Sequence, residues 1–358
     1  MTQSATKQEK VLITGGAGFL GSHLVDYLLR ETGVTIVIFD QREESSREQS
    51  ERVKYRKGDV ASLQDVSAVF EEQGPFTTVY HLAAAMPNKE FSDDVLWKTN
   101  VKGTEMVAAH AVRQGVRSFV CTSSNVLYGI PQTLPTTEET PPCPLEIYGR
   151  SKAEAEKLLA AGAGNMAIQI FRCPVIAGRG RLGLQAILFE FISENRNVYV
   201  LGDGSNKYQF ADVRDVCDAL EKASHSEGFD IYNIGSDQVL TLKDLYQKVI
   251  DFAGSRSKIV SIPKSPALLA LSILNALSLS PLGVYQYTMI GRSLYANTDK
   301  IKSKLGWQPK TTNLDTFIEN YTWYRENKGT FIDVGSDKAS ANRSVPHLGI
   351  LKLLKLLS

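Results

Sequence analysis

Residues 11–21 read VLITGGAGFLG: an apolar strand runs through three spaced glycines, Gly15, Gly18 and Gly21, into the start of a helix. A turn that tight uses backbone freedom that glycine has at little cost. The missing side chains also let a diphosphate reach the amides at the helix N-terminus. The spacing G-x-x-G-x-x-G departs from the more general G-x-G-x-x-G, so the surroundings have to carry the reading. A second apolar strand, VTIVIFD, follows the helix and ends at Asp40, about 20 residues beyond the glycines, where a carboxylate accepts hydrogen bonds from an adenosine ribose. The stretch therefore predicts a dinucleotide site at one edge of a parallel sheet. Asp40 predicts NAD over NADP because it repels a 2′-phosphate, with Arg42 as the neighbouring cation that could offset it.

Around that turn the chain has 358 residues, 43% of them hydrophobic, enough to bury one large domain or two unequal ones. With 40 basic and 39 acidic residues the formal charge is +1, which argues against nucleic acid or a strongly acidic partner. The polar start MTQSATKQEK runs straight into the first strand with no secretory signal, so a cytoplasmic protein is expected. Cys121, Cys143, Cys173 and Cys217 lack metal-ligand spacing and read as reduced thiols, and no metal is expected. His81, in VYHLAAA, reads as a packed or backbone-bonded histidine rather than a general base.

Strand-like segments VLIT, VTIVIFD, VKYRKGD, TTVYHLAA, SFVCTSS and AIQIFRC alternate with stretches whose apolar residues recur at helical spacing, as in Leu24, Leu28 and Leu29 or Val107, Ala111 and Val112. This predicts an α/β fold, a Rossmann-type doubly wound parallel sheet covered by helices on both faces. The alternation loosens after about residue 175, at AGRGRLG, and resumes in YQFADVRDVCDAL. The reading is a discontinuous nucleotide-binding domain, residues 1–178 and 207–235, and a smaller α/β substrate lobe, residues 179–206 and 236–330. Thr241 is the expected N-cap of an amphipathic helix in the lobe.

Two apolar segments stand apart. Ala267–Leu279, preceded by Ser265 as N-cap and Pro266, is too short to span a bilayer, and Ser272, Asn275 and Ser278 give it only a thin polar stripe. It is read either as a core helix or as one facing lipid or a greasy substrate. Residues 331–358 read as a linker and an amphipathic tail, in which Lys352 and Lys355 punctuate a leucine-rich run. That tail would lie at the inner surface of a membrane or dock on the body or a second subunit; a homodimer is expected.

Tyr148 and Lys152 form Y-x-x-x-K at the start of a helical run, so both project from one face a single turn apart. A lysine ammonium near a phenol favours the phenolate, which can take a proton from an alcohol while hydride leaves for a nicotinamide. The strand end Thr122, Ser123, Ser124 precedes the pair, and a hydroxyl there points to the ligand crevice of a parallel sheet.

With these residues in order the chain resembles the extended short-chain dehydrogenase/reductase superfamily, in its NAD-dependent epimerase/dehydratase branch. The resemblance runs over nearly all of residues 10–325: TGGAGFLG, Asp40, GDV at 58–60, HLAA at 81–84, N-V-x-G-T from Asn100, TSS before Tyr128 and Gly129, YGRSK, and LGWQP at 305–309. It implies Ser124, Tyr148 and Lys152 as the catalytic set, with NAD held by Gly15, Gly18, Phe19, Leu20, Gly21, Asp40, Asp59, Val60, Leu82, Ala83, Ala84, Asn100, Tyr148, Lys152, Pro174 and Val175. Asp59 and Val60 would flank adenine, and Arg172 to Val175 would pass the nicotinamide amide. Asn125 and Val126 stand where sugar 4,6-dehydratases of the branch carry an acid pair, which disfavours dehydration. Tyr208 stands where many nucleotide-sugar epimerases carry a phosphate-binding arginine, so Lys207 or Arg292 would substitute and a lipid-linked sugar becomes a candidate beside a nucleotide-linked one. The substrate contacts so implied are Ser124, Asn125, Lys207, Tyr208 and Arg292. Epimerisation of a sugar is the favoured reaction; the alternatives are net oxidation or reduction of a sterol-like or other lipid alcohol, and a non-catalytic dinucleotide-binding protein.

Overall fold

Lys10–Thr14 forms a strand (β1) in which every residue after the first is buried, as an apolar run covered on both faces requires. The computed structural model describes residues 9–42, 50–87, 92–162, 164–181, 185–269, 284–289 and 291–332. In it β1 is joined by Thr35–Asp40 (β2), Val53–Lys57 (β3), Thr78–His81 (β4), Ser118–Ser124 (β5) and Ala167–Cys173 (β6). A later strand, Phe229–Asn233, completes a seven-stranded sheet beside β6. In sequence numbers the order is 3-2-1-4-5-6, the Rossmann order, with the late strand added at the β6 edge, and every pairing is parallel. All six strands expected from the apolar runs are present. The seventh, FDIYN, is hidden from a pattern reading by Asp230 and Asn233.

Helices close both faces. On one side Phe19–Glu31 (α1) and Val213–Ala223 bury Leu24, Leu28, Val216 and Leu220 against Ile13, Ile38 and Val120 of the sheet. On the other, Leu63–Gln73 (α2) and Thr104–Gln114 bury Val66, Phe70, Val107 and Ala111 against Leu12, Val37 and Phe119. Val112, expected inward, is 38% exposed, because the residue after Ala111 sits about 100° further round the helix.

A separate aromatic core holds the second lobe together. Phe189, Phe210, Phe317, Tyr321 and Tyr324 pack with Leu245, Val249 and Ile250, and the rings of Phe210 and Phe317 meet edge-on at 4.9 Å. Thr241 caps the helix Leu242–Ala253 by accepting the Asp244 N–H at 3.1 Å. The LGWQP segment, placed in the smaller lobe by sequence, packs on the sheet domain: Trp307 is fully buried there and donates its indole N–H to the Asp215 carbonyl at 2.9 Å. The Asp215 carboxylate in turn accepts the Lys310 and Thr311 amides, so one helix of the first domain clasps the returning chain. The helical stretch that leads into Ala267–Leu279 begins at Lys264, one residue before the expected cap Ser265, and from residue 270 to 283 it lies outside the described residues. The tail from 333 onward lies outside them too. Among the described residues no helix is long and apolar enough to cross a membrane.

Candidate active site

The sheet being parallel, the carboxyl ends of β1 to β6 form one rim, and the side chains singled out by sequence gather along it. Gly15 has φ +70°, and a Cβ placed on it would lie 2.7 Å from the Ala83 amide, so the first turn and the loop after β4 touch through a bare backbone. A Cβ on Gly21 would run into the Gly15 carbonyl. Asp40, at the end of β2, accepts the Ala17 N–H on one carboxylate oxygen and the Arg42 N–H on the other, both at 3.0 Å. Each oxygen keeps a lone pair that can take a ribose hydroxyl. Asp59 accepts the Ala61 N–H at 2.8 Å, and Val60 is buried against Gly103. Phe19, Val60 and Pro174 are buried, Leu20 and Leu82 to Ala84 are half-buried, and Val175 is 41% exposed. A glycine cradle under free helix amides, with a carboxylate one strand away, suits an NAD molecule.

Behind the rim runs a chain of hydrogen bonds that fixes its geometry. The Ala83 amide donates to Thr14 Oγ1 at 3.2 Å, and that hydroxyl lies 2.9 Å from His81 Nδ1. His81 Nε2 lies 2.9 Å from Thr104 Oγ1, whose own proton goes to the Asn100 carbonyl at 2.7 Å. With the Thr104 proton committed to Asn100 and the Thr14 proton free to go to Nδ1, only the neutral Nε2–H tautomer satisfies every partner. Burial and the nearby Lys152 charge push the imidazole pKa down to about 3. The unfolded chain takes up this proton below its ordinary value of 6.5 and the folded chain does not. Stability is therefore complete above that pH and falls by up to about 1.4 kcal/mol per pH unit below it, toward the folded value. Urea midpoints at pH 7 and pH 5 are expected to show this loss, and His81→Gln to reduce it.

Asn100 sits in a π-helical turn, Lys98–Gly103, between two α-helical segments. Its amide accepts the Ala85 N–H at 2.8 Å and donates to the Ala85 carbonyl and to Ser151 Oγ, each at 3.0 Å. Ser151 donates to the Tyr148 carbonyl at 2.8 Å. Asn100 thus ties the loop after β4 to the helix that carries Tyr148, and its side chain is fully used within the protein.

That helix, Ile147–Gly162, starts where Glu146 accepts the Tyr148 and Gly149 amides at 2.7 and 2.8 Å. Tyr148 and Lys152 are both buried, one turn apart, and Ser124, buried at the end of β5, is close enough to the Tyr148 phenol to lower its pKa. Ser124 also accepts the Val126 amide, at 3.4 Å, which starts the short helix Asn125–Tyr128. Lys152 Nζ reaches past the ring, 6.0 Å from its centroid, and donates to the Thr122 carbonyl at 2.9 Å. The cation that offsets the phenol's burial is Arg181, a residue the sequence reading did not single out. Burial raises the Tyr148 pKa, and the Arg181 charge and the Ser124 hydrogen bond pull against it. Lys152 is itself held below the ordinary lysine value by burial, against the opposing pull of Cys121, Cys173 and Glu156.

Arg172 turns away from the rim. Its guanidinium pairs with buried Glu156 at 2.8 Å and donates to Tyr128 Oη and the Glu138 carbonyl at 3.0 and 2.9 Å. Asn125 is buried beside Ser124. Lys207, Tyr208 and Arg292 come together across a seam of the second lobe, where the Leu294 amide donates to the Lys207 carbonyl at 2.9 Å and the Lys207 amide to Ser293 Oγ at 3.0 Å. Lys207 and Arg292 are exposed, and Tyr208 packs on Phe210 at 5.6 Å. Lys207 also lines a cavity of about 340 Å³ with Gln209, Asp237, Tyr295 and Lys302. Cys121, Cys173 and Cys217 are buried free thiols and Cys143 an exposed one; among the described residues no metal-binding cluster occurs.

Comparison with known proteins places these features in a family context. The model of the NAD dependent epimerase/dehydratase family matches residues 11–235. An uncharacterized protein of Sinorhizobium fredii, y4nG, is 35% identical over 92% of this chain and 82% of its own. A UDP-glucose 4-epimerase of Mycolicibacterium smegmatis is 31% identical over 69% of this chain and 83% of its own. Among solved structures, the Bordetella bronchiseptica enzyme WbmG in complex with NAD superposes with a TM-score of 0.74 at 22% identity, over 91% of this chain and 96% of that one. MoeE5 in complex with UDP-glucose and NAD gives 0.69 at 25% identity, over 89% and 99%.

Proposed function

Because this chain belongs to the NAD dependent epimerase/dehydratase family, we propose that it epimerises a secondary alcohol of a sugar borne on a nucleotide or a lipid carrier. It is an enzyme, and NAD is its cofactor. Bound NAD would supply the acceptor for hydride from a carbinol carbon and, in its reduced form, the donor that restores it. The chain's own residues manage the proton and the geometry. The phenolate of Tyr148 takes the alcohol proton as the carbinol becomes a ketone and gives it back as the alcohol re-forms, so the side chain ends each turnover as it began. Ser124, buried near that phenol, holds the reacting oxygen. Lys152 spends one N–H on the Thr122 carbonyl and keeps two for ribose hydroxyls. The observation that carries the reading is the buried Ser124–Tyr148 pair, in which the serine lowers the phenol's pKa, with Asn125 and Val126 directly after the serine. Neither of those can protonate a leaving hydroxyl, so the site moves a proton and does not expel water. The curated relative named UDP-glucose 4-epimerase supports a sugar substrate and an inversion. Lys207 and Arg292, exposed on one seam, are the cations for a phosphate linkage.

The test is to purify the enzyme, record its bound cofactor, and offer nucleotide sugars, lipid-linked sugars and sterols while following both NADH absorbance and product stereochemistry. Inverted product with no net NADH is the expected result. Stoichiometric NADH accumulation on a lipid alcohol would replace this reading with a net dehydrogenase. NAD is expected to bind better than NADP, and Asp40→Ala to narrow that preference. Tenfold tighter binding of NADP by the unaltered protein would overturn the role given to Asp40.

A further inference from the structure

The glycine-rich turn and Tyr148 stand at two stations of the rim, and one side chain lies between them. Arg181 follows β6 in the crossing to the second lobe. Its amide donates to the Gly178 carbonyl at 3.1 Å, closing a tight turn, and its guanidinium lies over the ring of Phe19, 5.4 Å from the centroid. Phe19 is the first residue of α1, directly after Gly18. The same guanidinium is the cation felt by Tyr148, and it acts after Lys152 on Cys173. Among the described residues no carboxylate pairs with it: its surroundings are an aromatic face, a phenol and a thiol. Arg181 is half-buried without an anion, and such a guanidinium is suited to a bidentate acceptor. The free amides at the start of α1 favour negative charge at the same place.

We propose that Arg181 is a cofactor-retaining residue: its guanidinium binds the diphosphate of NAD from the second-lobe side, opposite the amides of the glycine-rich turn. The dinucleotide then sits between two anion-binding elements, one from each lobe. A bidentate arginine reaching across from the second lobe slows release and suits an enzyme that regenerates its cofactor every turnover. The inference rests on NAD as the cofactor and not on the identity of the sugar, so it stands or falls separately from the proposed reaction.

The test uses the full chain freed of cofactor, with Arg181→Met and Arg181→Lys. Binding of NAD, of ADP-ribose, which keeps the diphosphate and lacks nicotinamide, and of adenosine is measured by calorimetry at low and high salt. Arg181→Met is expected to weaken NAD and ADP-ribose alike by roughly 10- to 100-fold, the loss typical of a charge-assisted bond to phosphate. Adenosine should be little affected, Arg181→Lys should recover part of the loss, and the salt dependence of NAD binding should shrink in Arg181→Met. Unchanged ADP-ribose affinity with weakened NAD would put the guanidinium at the nicotinamide end and overturn the proposal. Unchanged affinity for both, with a lowered melting temperature of the ligand-free protein, would make Arg181 a packing partner of Phe19 and overturn it as well. Should Arg181→Met not fold, Arg181→Gln is read by the same criteria.

Discussion

Tyr148→Phe is expected to lower turnover by roughly 10²- to 10⁴-fold while NAD still binds, because it removes the one group placed to exchange a proton with the substrate and leaves the glycine cradle and Asp40 untouched. The ring stays, so its packing with Ala85 and Leu96 is preserved and folding should be unaffected. Burial holds the phenol protonated in the ligand-free protein, and Ser124 and Arg181 pull the other way. Ser124→Ala is therefore expected to cost less than Tyr148→Phe and to shift the pH profile toward higher pH. Steady-state rates on the identified substrate, with NAD binding measured in parallel, check both. Full turnover by Tyr148→Phe would remove this residue from the mechanism.

The second large effect is on stability. Arg172→Met is expected to destabilise the fold by about 3–5 kcal/mol, since it strands the Glu156 carboxylate inside the protein. Both side chains are nearly inaccessible, at 5% and 7% exposure, and the pair joins the Tyr148 helix to β6. Burial alone opposes the charge on Arg172, but the Glu156 hydrogen bond and charge outweigh it and hold the guanidinium above its ordinary value. The guanidinium also supports Tyr128, whose hydroxyl lies 2.7 Å from Asn233 on the added seventh strand. Replacing both partners, Arg172→Met with Glu156→Leu, removes the stranded charge and should recover much of the loss. Urea unfolding of the two variants separates these outcomes. Equal loss in single and double variants would mean that Arg172 acts through Tyr128 and Glu138 rather than through Glu156.

Much of this molecule was legible before any coordinates. The inner strands of a parallel sheet are apolar runs, so β1, β2 and β4 to β6 announce themselves while edge strand β3 alternates polar and apolar, and glycine spacing marks the turn because no other residue can take the close approach of Gly15 to Ala83. Tyr148 and Lys152 are four apart in one helix, a local relation that sequence specifies. Thr241 is legible for the same reason, since a cap acts on amides within three residues.

What stayed hidden depends on residues distant in the chain. FDIYN becomes the seventh strand only because β6 offers it an edge, with Phe229 to Asn233 in register with Ile168 to Arg172. Trp307 joins the first domain through Asp215, 92 residues earlier, which segment composition cannot reveal. Arg172 was read as part of the cofactor wall, yet its guanidinium is taken up by Glu156, Tyr128 and the Glu138 carbonyl, and the direction of a side chain at a strand end is set by its partner. Arg181 lies in AGRGRLG, where the strand–helix alternation loosens, and the bond from Lys152 to the Thr122 carbonyl spans 30 residues. The sequence by itself determined the sheet, the cradle and the local hydroxyl–lysine relation, because apolar period, glycine placement and helical spacing act over a few residues. Which cation acts on Tyr148 and which is consumed by Glu156 is a tertiary matter, because charges interact through space and Arg181 meets Phe19 across about 160 residues of chain.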